Sequence, residues 1–160
     1  MRYEDVSLVP STPQSTARIA GHPIHPMLVP IPIVCFVGTL VTDIAYWLTA
    51  NTQWANFSAW LLSVGLIMSA LAALAGAIDF FGDRGIRRLR PAWIHAAGNA
   101  VALILSIINV FVHSRDAYTS VVPTGLVLSA LVVLILLVTG WNGAALVHRH
   151  GVSVRTGERA

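Results

Sequence analysis

Histidines and one aspartate stand near the ends of long apolar segments, and their side chains are those that bind metal ions or haem iron. His22 and His25 lie in the sequence Gly-His-Pro-Ile-His-Pro, directly before the first apolar run. The residue before proline is pushed into extended or polyproline geometry, which repeats every three residues, so we expect both imidazoles to project to the same side. His95 opens the third apolar run, His150 follows the fourth, and Asp79 lies near the end of the second.

The composition places the chain in the membrane class. Of its 160 residues, 56% are hydrophobic and only 11% are charged, and the mean hydropathy is +0.72, which is outside the range of soluble domains. A helix that crosses a bilayer needs about 20 mostly apolar residues. Four segments meet this requirement, at about 27–48, 59–81, 92–113 and 124–147. They form a membrane domain over 21–150, between a flexible cytoplasmic tail at 1–20 and a second cytoplasmic tail at 151–160.

The third span carries the most informative polar pattern. One helical stripe with spacings of four and three holds His95, Asn99, Ala102, Ser106, Asn109 and His113. Polar groups are costly in hydrocarbon, so this stripe should face the interior of a bundle. In the first span, Asp43 lies about a turn inside the interface, where an acid commonly pairs with a neighbouring polar group or snorkels to water. Asn109 and His113 are the candidate partners if spans one and three touch. In the second, small residues at four-residue intervals predict close helix packing, namely Gly65, Ser69, Ala73 and Ala77.

The distribution of arginine predicts the orientation. With four spans, both tails and the 82–91 loop share one side of the membrane and hold nine of the ten arginines, whereas the other side has Arg115 alone. Positive residues mark the cytoplasmic face. The sequence therefore predicts an all-α, up-and-down bundle of four transmembrane helices with both termini cytoplasmic. No basic stripe is interleaved with aromatic residues, so the partner is the lipid bilayer and not a nucleic acid.

The same topology predicts a site. An up-and-down bundle brings alternate helix ends together, so five of the six histidines fall at the cytoplasmic face, together with Asp79. His113 is excluded because 18 residues of helix, about 27 Å, separate it from His95. The predicted ligands of a cofactor are His22, His25, His95 and His150. For a metal ion, Asp79 is a fifth ligand or the group that orients a histidine.

Several of these motifs resemble a known family. The segments are Gly-His-Pro-Ile-His-Pro-Met-Leu-Val-Pro at 21–30, Gly-Ala-Ile-Asp at 76–79, His95 at the start of span three, and Thr-Gly-Trp-Asn-Gly-Ala-Ala-Leu-Val-His-Arg-His-Gly-Val from Thr139. They are similar to the bacterial four-helix membrane family catalogued as domain-of-unknown-function family 2231. The resemblance implies a multi-pass protein of the bacterial inner membrane. Some relatives are joined to c-type cytochrome or Rieske modules, which implies electron transfer and the same histidines and Asp79 as its site.

Three functions remain open from the sequence. The first is b-type haem ligation, since a four-helix bundle can hold a haem between two imidazoles. The second is a transition-metal site, since imidazole suits zinc, copper, iron and nickel. Either would serve an electron-transfer system with a redox partner. The third is a non-catalytic scaffold in which the histidines and Asp79 form a structural polar lock. Enzymatic activity and assembly into a homo-oligomer stay undecided.

Overall fold

Four long apolar helices make up most of the computed structural model, which describes residues 12–115 and 119–153. In chain order, the elements are β1 (Arg18–Ile19), β2 (His22–Pro23), α1 (Ile24–Leu28), α2 (Pro30–Thr49), α3 (Thr52–Gly82), α4 (Arg84–Arg87), α5 (Arg90–His113), a π-helical turn (Val121–Gly125) and α6 (Leu126–His148). The two short strands pair antiparallel. The fold is therefore the all-α, four-span bundle that the sequence predicts. Residues 1–11 and 154–160 of the predicted tails lie outside the described residues.

The outward faces of the long helices are apolar. Large side chains such as Ile67, Leu74, Leu134 and Leu137 are each more than half exposed. Segments Ile24–Thr49, Thr52–Gly82, Arg90–His113 and Val121–His148 are long and apolar enough to cross a bilayer. Soluble proteins rarely expose so much apolar surface, because it would contact water. These faces are the lipid-contacting surface of a membrane protein.

The four long helices stand at the corners of a square. Helix α2 packs on α3, α3 on α5, α5 on α6, and α6 closes the square against α2. Consequently α2 and α5 face each other across one diagonal, and α3 and α6 across the other. Phe36, Leu62 and Val132 form the buried apolar centre. We call the end that carries α4 the arginine-rich end, and the other the distal end.

Short local signals set the helix boundaries at the distal end. Helix α2 ends at Thr49, where Ala50 adopts a left-handed conformation with φ 53°. Asn51 then caps α3, its side chain accepting a hydrogen bond from Gln53 N at 3.0 Å. Helix α3 therefore begins at Thr52 and not near residue 59, and the polar segment after span one is mostly helix. Its length of 31 residues corresponds to about 46 Å.

The conformation at the first histidine pair differs from the expectation. His22 lies in β2, but His25 lies in α1, whose first residue is Ile24. Proline is tolerated within the first turn of a helix, because the N–H that it lacks there has no intrahelical partner. Pro26 therefore does not force His25 into extended geometry, and the argument that both imidazoles project to the same side does not hold.

Candidate functional site

A buried polar network fills the distal half of the bundle. Asp43 of α2 and His113 of α5 meet across the diagonal, with Oδ1 and Nε2 separated by 2.8 Å. The hydroxyl of Ser129 in α6 donates to Asp43 Oδ2 at 2.6 Å and accepts from Asn109 Nδ2 at 2.9 Å. Asp43 and Asn109 are 0% exposed and His113 is 1% exposed. Of the two candidate partners of Asp43, the structure selects His113, and Asn109 joins the network through Ser129. The stripe on α5 thus supplies two members of this network.

The hydrogen bonds of this network fix how many protons Asp43 and His113 carry together. The backbone oxygen of Asn109 only accepts, so the His113 Nδ1 at 3.0 Å from it carries a proton. Ser129 donates to Asp43 Oδ2, which leaves one further proton between Asp43 Oδ1 and His113 Nε2. Whether that proton resides on oxygen or nitrogen, the pair has no net charge. A neutral pair is the form in which an acid and an imidazole are least costly in a bilayer.

A different histidine pair lies at the arginine-rich end. His25 of α1 and His95 of α5 contact each other edge to face, with ring centroids 5.9 Å apart and ring planes at 89°. His25 Nδ1 donates to Ala72 O of α3 at 2.8 Å, and His95 Nδ1 donates to Thr139 O of α6 at 2.8 Å. His25 thus joins α1 to α3, and His95 joins α5 to α6. Both side chains are half-buried.

Two glycines make room for these rings. A Cβ on Gly76 of α3 would lie 3.0 Å from His25 Nδ1 and 3.1 Å from its Cε1. A Cβ on Gly143 of α6 would lie 3.1 Å from His95 Cε1 and 3.2 Å from its Nδ1. Such distances are shorter than ordinary van der Waals contact, so any side chain at either position would displace the imidazole.

Asp79 is engaged by the segment before the bundle. Its Oδ1 accepts hydrogen bonds from Ser15 Oγ at 2.7 Å, Thr16 N at 2.8 Å and Ala17 N at 2.7 Å. Residues 12–17, which we call the amino-terminal strap, therefore pack against the end of α3, although the sequence places them in a flexible tail. Asp83 also holds the strap, accepting from Gln14 N at 2.9 Å. Asp79 acts here as an anchor for the strap.

The remaining predicted ligands are at the surface. The His22 side chain is exposed, and its Nδ1 bonds only to the nearby Ala20 O at 3.0 Å. His150 and its neighbour His148 are exposed as well. Among residues 12–115 and 119–153, no three histidine, cysteine, aspartate or glutamate side chains are placed to hold one metal ion together. Of the predicted ligand set, the structure brings together His25 and His95.

Some contributors were not predicted from the sequence. Ser129 is a hydroxyl residue between runs of Leu, Val and Ile in the fourth span, and its position among apolar residues is the signal that could have identified it. Gly76 and Gly143 each occur in a motif segment, but nothing in their spacing indicates that they face imidazoles. The strap contacts depend on Ser15 and Thr16, which are ordinary residues of a polar tail in the sequence.

The comparison with known families agrees with this architecture. The profile of the family described as "Predicted membrane protein (DUF2231)" matches residues 21–156. The chain belongs to this family. The match begins at the Gly-His-Pro-Ile-His-Pro segment and covers all four spans of the DUF2231 protein, so the sequence resemblance is confirmed. No curated protein and no solved structure gives a significant match.

Proposed function

We propose that this DUF2231 protein is a non-catalytic membrane scaffold whose four helices are held in order by polar locks. A lock here is a side-chain hydrogen bond that joins two helices through the bundle interior. The observation that carries the proposal is the use of its histidines: His25 and His95 each donate to a backbone carbonyl of another helix. His113 bonds Asp43 across the diagonal. Together these bonds join α1 to α3, α5 to α6, and α2 to α5.

The locks stabilise helix association in lipid, where the hydrophobic effect contributes little. Between helices in a bilayer there is little hydrophobic effect, so association depends on packing and on hydrogen bonds between helices. Among the described residues, the buried apolar centre of this bundle is a small cluster, Phe36, Leu62 and Val132, with partly buried side chains packed around it. Interhelical hydrogen bonds at both ends of the bundle supply the specificity that this small core lacks.

The scaffold is proposed to lie in a bacterial cell membrane with both termini in the cytoplasm. The positive-inside rule supports this, because Arg84, Arg87, Arg88 and Arg90 all belong to the arginine-rich end. The strap and Ser153 of the carboxy-terminal segment also meet there, since Ser153 N donates to Pro13 O at 2.9 Å. Reporter fusions at each terminus and in the segment after His113 test the orientation, and cytoplasmic signals are expected from the termini only.

The scaffold proposal is tested by removing locks from protein that contains no metal. Full-length protein purified in detergent with a chelator should lose thermal stability in the variants H113L and H95A, and its absorption spectrum should lack a Soret band. Unchanged unfolding midpoints in both variants would contradict the proposal. A Soret band that disappears in the His95 variant would replace it with b-type haem ligation in an electron-transfer system.

The second candidate function is metal ligation in such a system. It is favoured by one observation: neither His25 Nε2 nor His95 Nε2 has a hydrogen-bond partner among the described residues. A nitrogen with a free lone pair can bind a cofactor or a metal ion. The candidate redox partner would dock at the arginine-rich end, where this pair lies.

A further inference from the structure

We infer that His25 and His95 form a two-nitrogen site for a transition-metal ion, whose other coordination positions are left to water or to a ligand from a partner. The inference goes beyond the scaffold function, because a lock needs only the Nδ1 atoms of these rings. The structure reduces the predicted ligands from five residues to two. Asp79 bonds to the strap, and His22 and His150 lie exposed at the surface, which leaves His25 and His95.

The first support is the tautomer of each ring. Ala72 O and Thr139 O only accept hydrogen bonds, so the Nδ1 of His25 and of His95 each carry a proton. In the neutral imidazole this places the lone pair on Nε2. A histidine that ligates a metal commonly donates its other N–H to a backbone carbonyl, which fixes the ring and makes the ligating nitrogen more basic. Both rings already have that arrangement.

The second support is the direction of the rings. In His25 the three atoms nearest a Cβ on Gly76 would be Nδ1, Cε1 and Cγ, so the Nδ1–Cε1 edge of the ring faces α3. In His95 only Cε1 and Nδ1 come within 4 Å of a Cβ on Gly143, so Nε2 is turned away from α6. Helices α3 and α6 occupy opposite corners of the square. The two rings therefore rest against helices at opposite corners through their Nδ1–Cε1 edges, and their other atoms lie in the space between those helices.

The third support is the separation of the rings. Their centroids are 5.9 Å apart. A ligating nitrogen lies about 2.0–2.1 Å from a bound zinc ion. Two imidazoles on one metal ion therefore have centroids roughly 5–6 Å apart, given the size of the ring. The rings are therefore already at the separation that a shared metal ion needs. Binding would require the two imidazoles to rotate, but not to move closer together.

The ligand class follows from the donors. Two imidazole nitrogens suit copper, nickel and zinc, and in the series of divalent ions the affinity for a nitrogen site is greatest for Cu²⁺. A site with only two protein ligands is open, because at least two further positions remain for exchangeable groups. Such a site suits a metal that is passed on or that meets a partner's ligand. It does not suit a permanent structural ion.

The experiment is a Cu²⁺ titration of the purified full-length protein in detergent, read by electron paramagnetic resonance. One tightly bound Cu²⁺ per chain is expected, with hyperfine structure from two nitrogens. The variants H25N and H95N should each weaken this binding at least tenfold. Asparagine places an N–H donor where Nδ1 was and has no counterpart of Nε2, so the lock is retained and the ligand is lost.

The matched control removes the surface histidines together, as H22N/H148N/H150N. Tight binding that persists in this triple variant and is lost in H25N and H95N supports the site. Binding that survives in both H25N and H95N, disappears in the triple variant, or is absent from the unaltered protein overturns it. Since H25N and H95N keep their locks, unfolding midpoints in chelator should match the unaltered protein, which separates failure of the metal site from failure of the scaffold proposal.

Discussion

The two ends of the bundle use the same kind of pairing in opposite ways. Each end has a histidine of α5 facing a group from the first span or its entry, His113 with Asp43 and His95 with His25. At the distal end both ring nitrogens are occupied and the pair is completely buried. At the arginine-rich end, Nδ1 is the ring nitrogen that bonds to a residue within 12–115 and 119–153, and the rings are half-buried. The first pair is closed to ligands, and the second keeps a nitrogen available on each ring.

The difference follows from burial and charge. A carboxylate at the bundle interior is costly unless it is paired and hydrogen-bonded, so Asp43 requires His113 and Ser129 together. A half-buried imidazole can leave one ring nitrogen without a protein partner, because that nitrogen can still bond to water. The bundle thus has a fully buried polar pair at one end and a partly exposed pair at the other.

The largest loss of unfolding free energy is expected for H113L. Leucine removes the partner of Asp43 and leaves an acid and the Ser129 hydroxyl in the bundle interior. Breaking a buried pair from one side costs about 3–5 kcal/mol of unfolding free energy. Chemical denaturation in detergent micelles measures the loss. The double variant D43L/H113L should lose less than H113L, since no unpaired acid remains, and a larger loss in the double variant would contradict the buried-pair account.

A smaller loss of unfolding free energy is expected for G125A, which crowds the His113 imidazole of the same pair. An added Cβ at Gly125 would lie 2.7 Å from His113 Cε1, so the imidazole must move away from Asp43. Crowding of this kind costs about 1–3 kcal/mol. The control is G140A, where nothing lies within 4 Å of the added atom. The same denaturation experiment compares both, and equal midpoints would show that His113 is not tightly held.

At the arginine-rich end, D79A should release the strap without unfolding the bundle. Three donors lose their acceptor, Ser15 Oγ, Thr16 N and Ala17 N. Loss of hydrogen bonds to a charged group should lower the local opening free energy by roughly 2 kcal/mol. Trypsin should then cleave after Arg18 about thirty times faster. A global unfolding midpoint that falls as far as that of H113L would contradict a local role.

The smallest effect is expected for H95A, which removes one lock at the half-buried pair. The hydrogen bond to Thr139 O is lost, and a hydrogen bond of this kind contributes about 1 kcal/mol. H95N should retain most of that stability, since its amide can donate to the same carbonyl. H22A is the control, because His22 is exposed and bonds only within its own turn. A loss in H95A equal to that in H113L would remove the contrast between the two ends.

The spacing of α5 correctly indicated which of its faces turns inward. Ala102, Ser106, Asn109 and His113 are all buried, as the alternation of three and four residues requires for a stripe that stays on one face. The four-residue spacing on α3 was less informative. Each step of four residues rotates about 40° beyond a full turn, so the stripe drifts around the helix. Gly65 is buried against Cys35 and Phe36, whereas Ala73 and Ala77 are exposed.

Of the histidines predicted to cluster at the arginine-rich end, His25 and His95 contact each other, and the others do not join them. The topology predicts that several histidines lie at one end of the bundle. It does not predict which of them contact each other, because the end of a four-helix bundle is much larger than one ligand site. His25 turns inward because α1 forms and Gly76 leaves space beside it. His22 lies three residues earlier in a strand and stays outside. The sequence predicts Asp79 as a ligand because nothing in its pattern shows that the strap folds back onto this side chain.

The sequence by itself determined that the chain is a four-helix membrane protein, that α5 turns a polar stripe inward, and that Asn109 and His113 are the candidate partners of Asp43. These follow from hydropathy, helical period and the cost of polar groups in lipid, all of which are local or one-dimensional properties. The tertiary structure decided which nitrogens are occupied, which glycines seat the imidazoles, and which acid holds the strap. Those depend on contacts between residues far apart in the chain, with directions and distances that no spacing encodes.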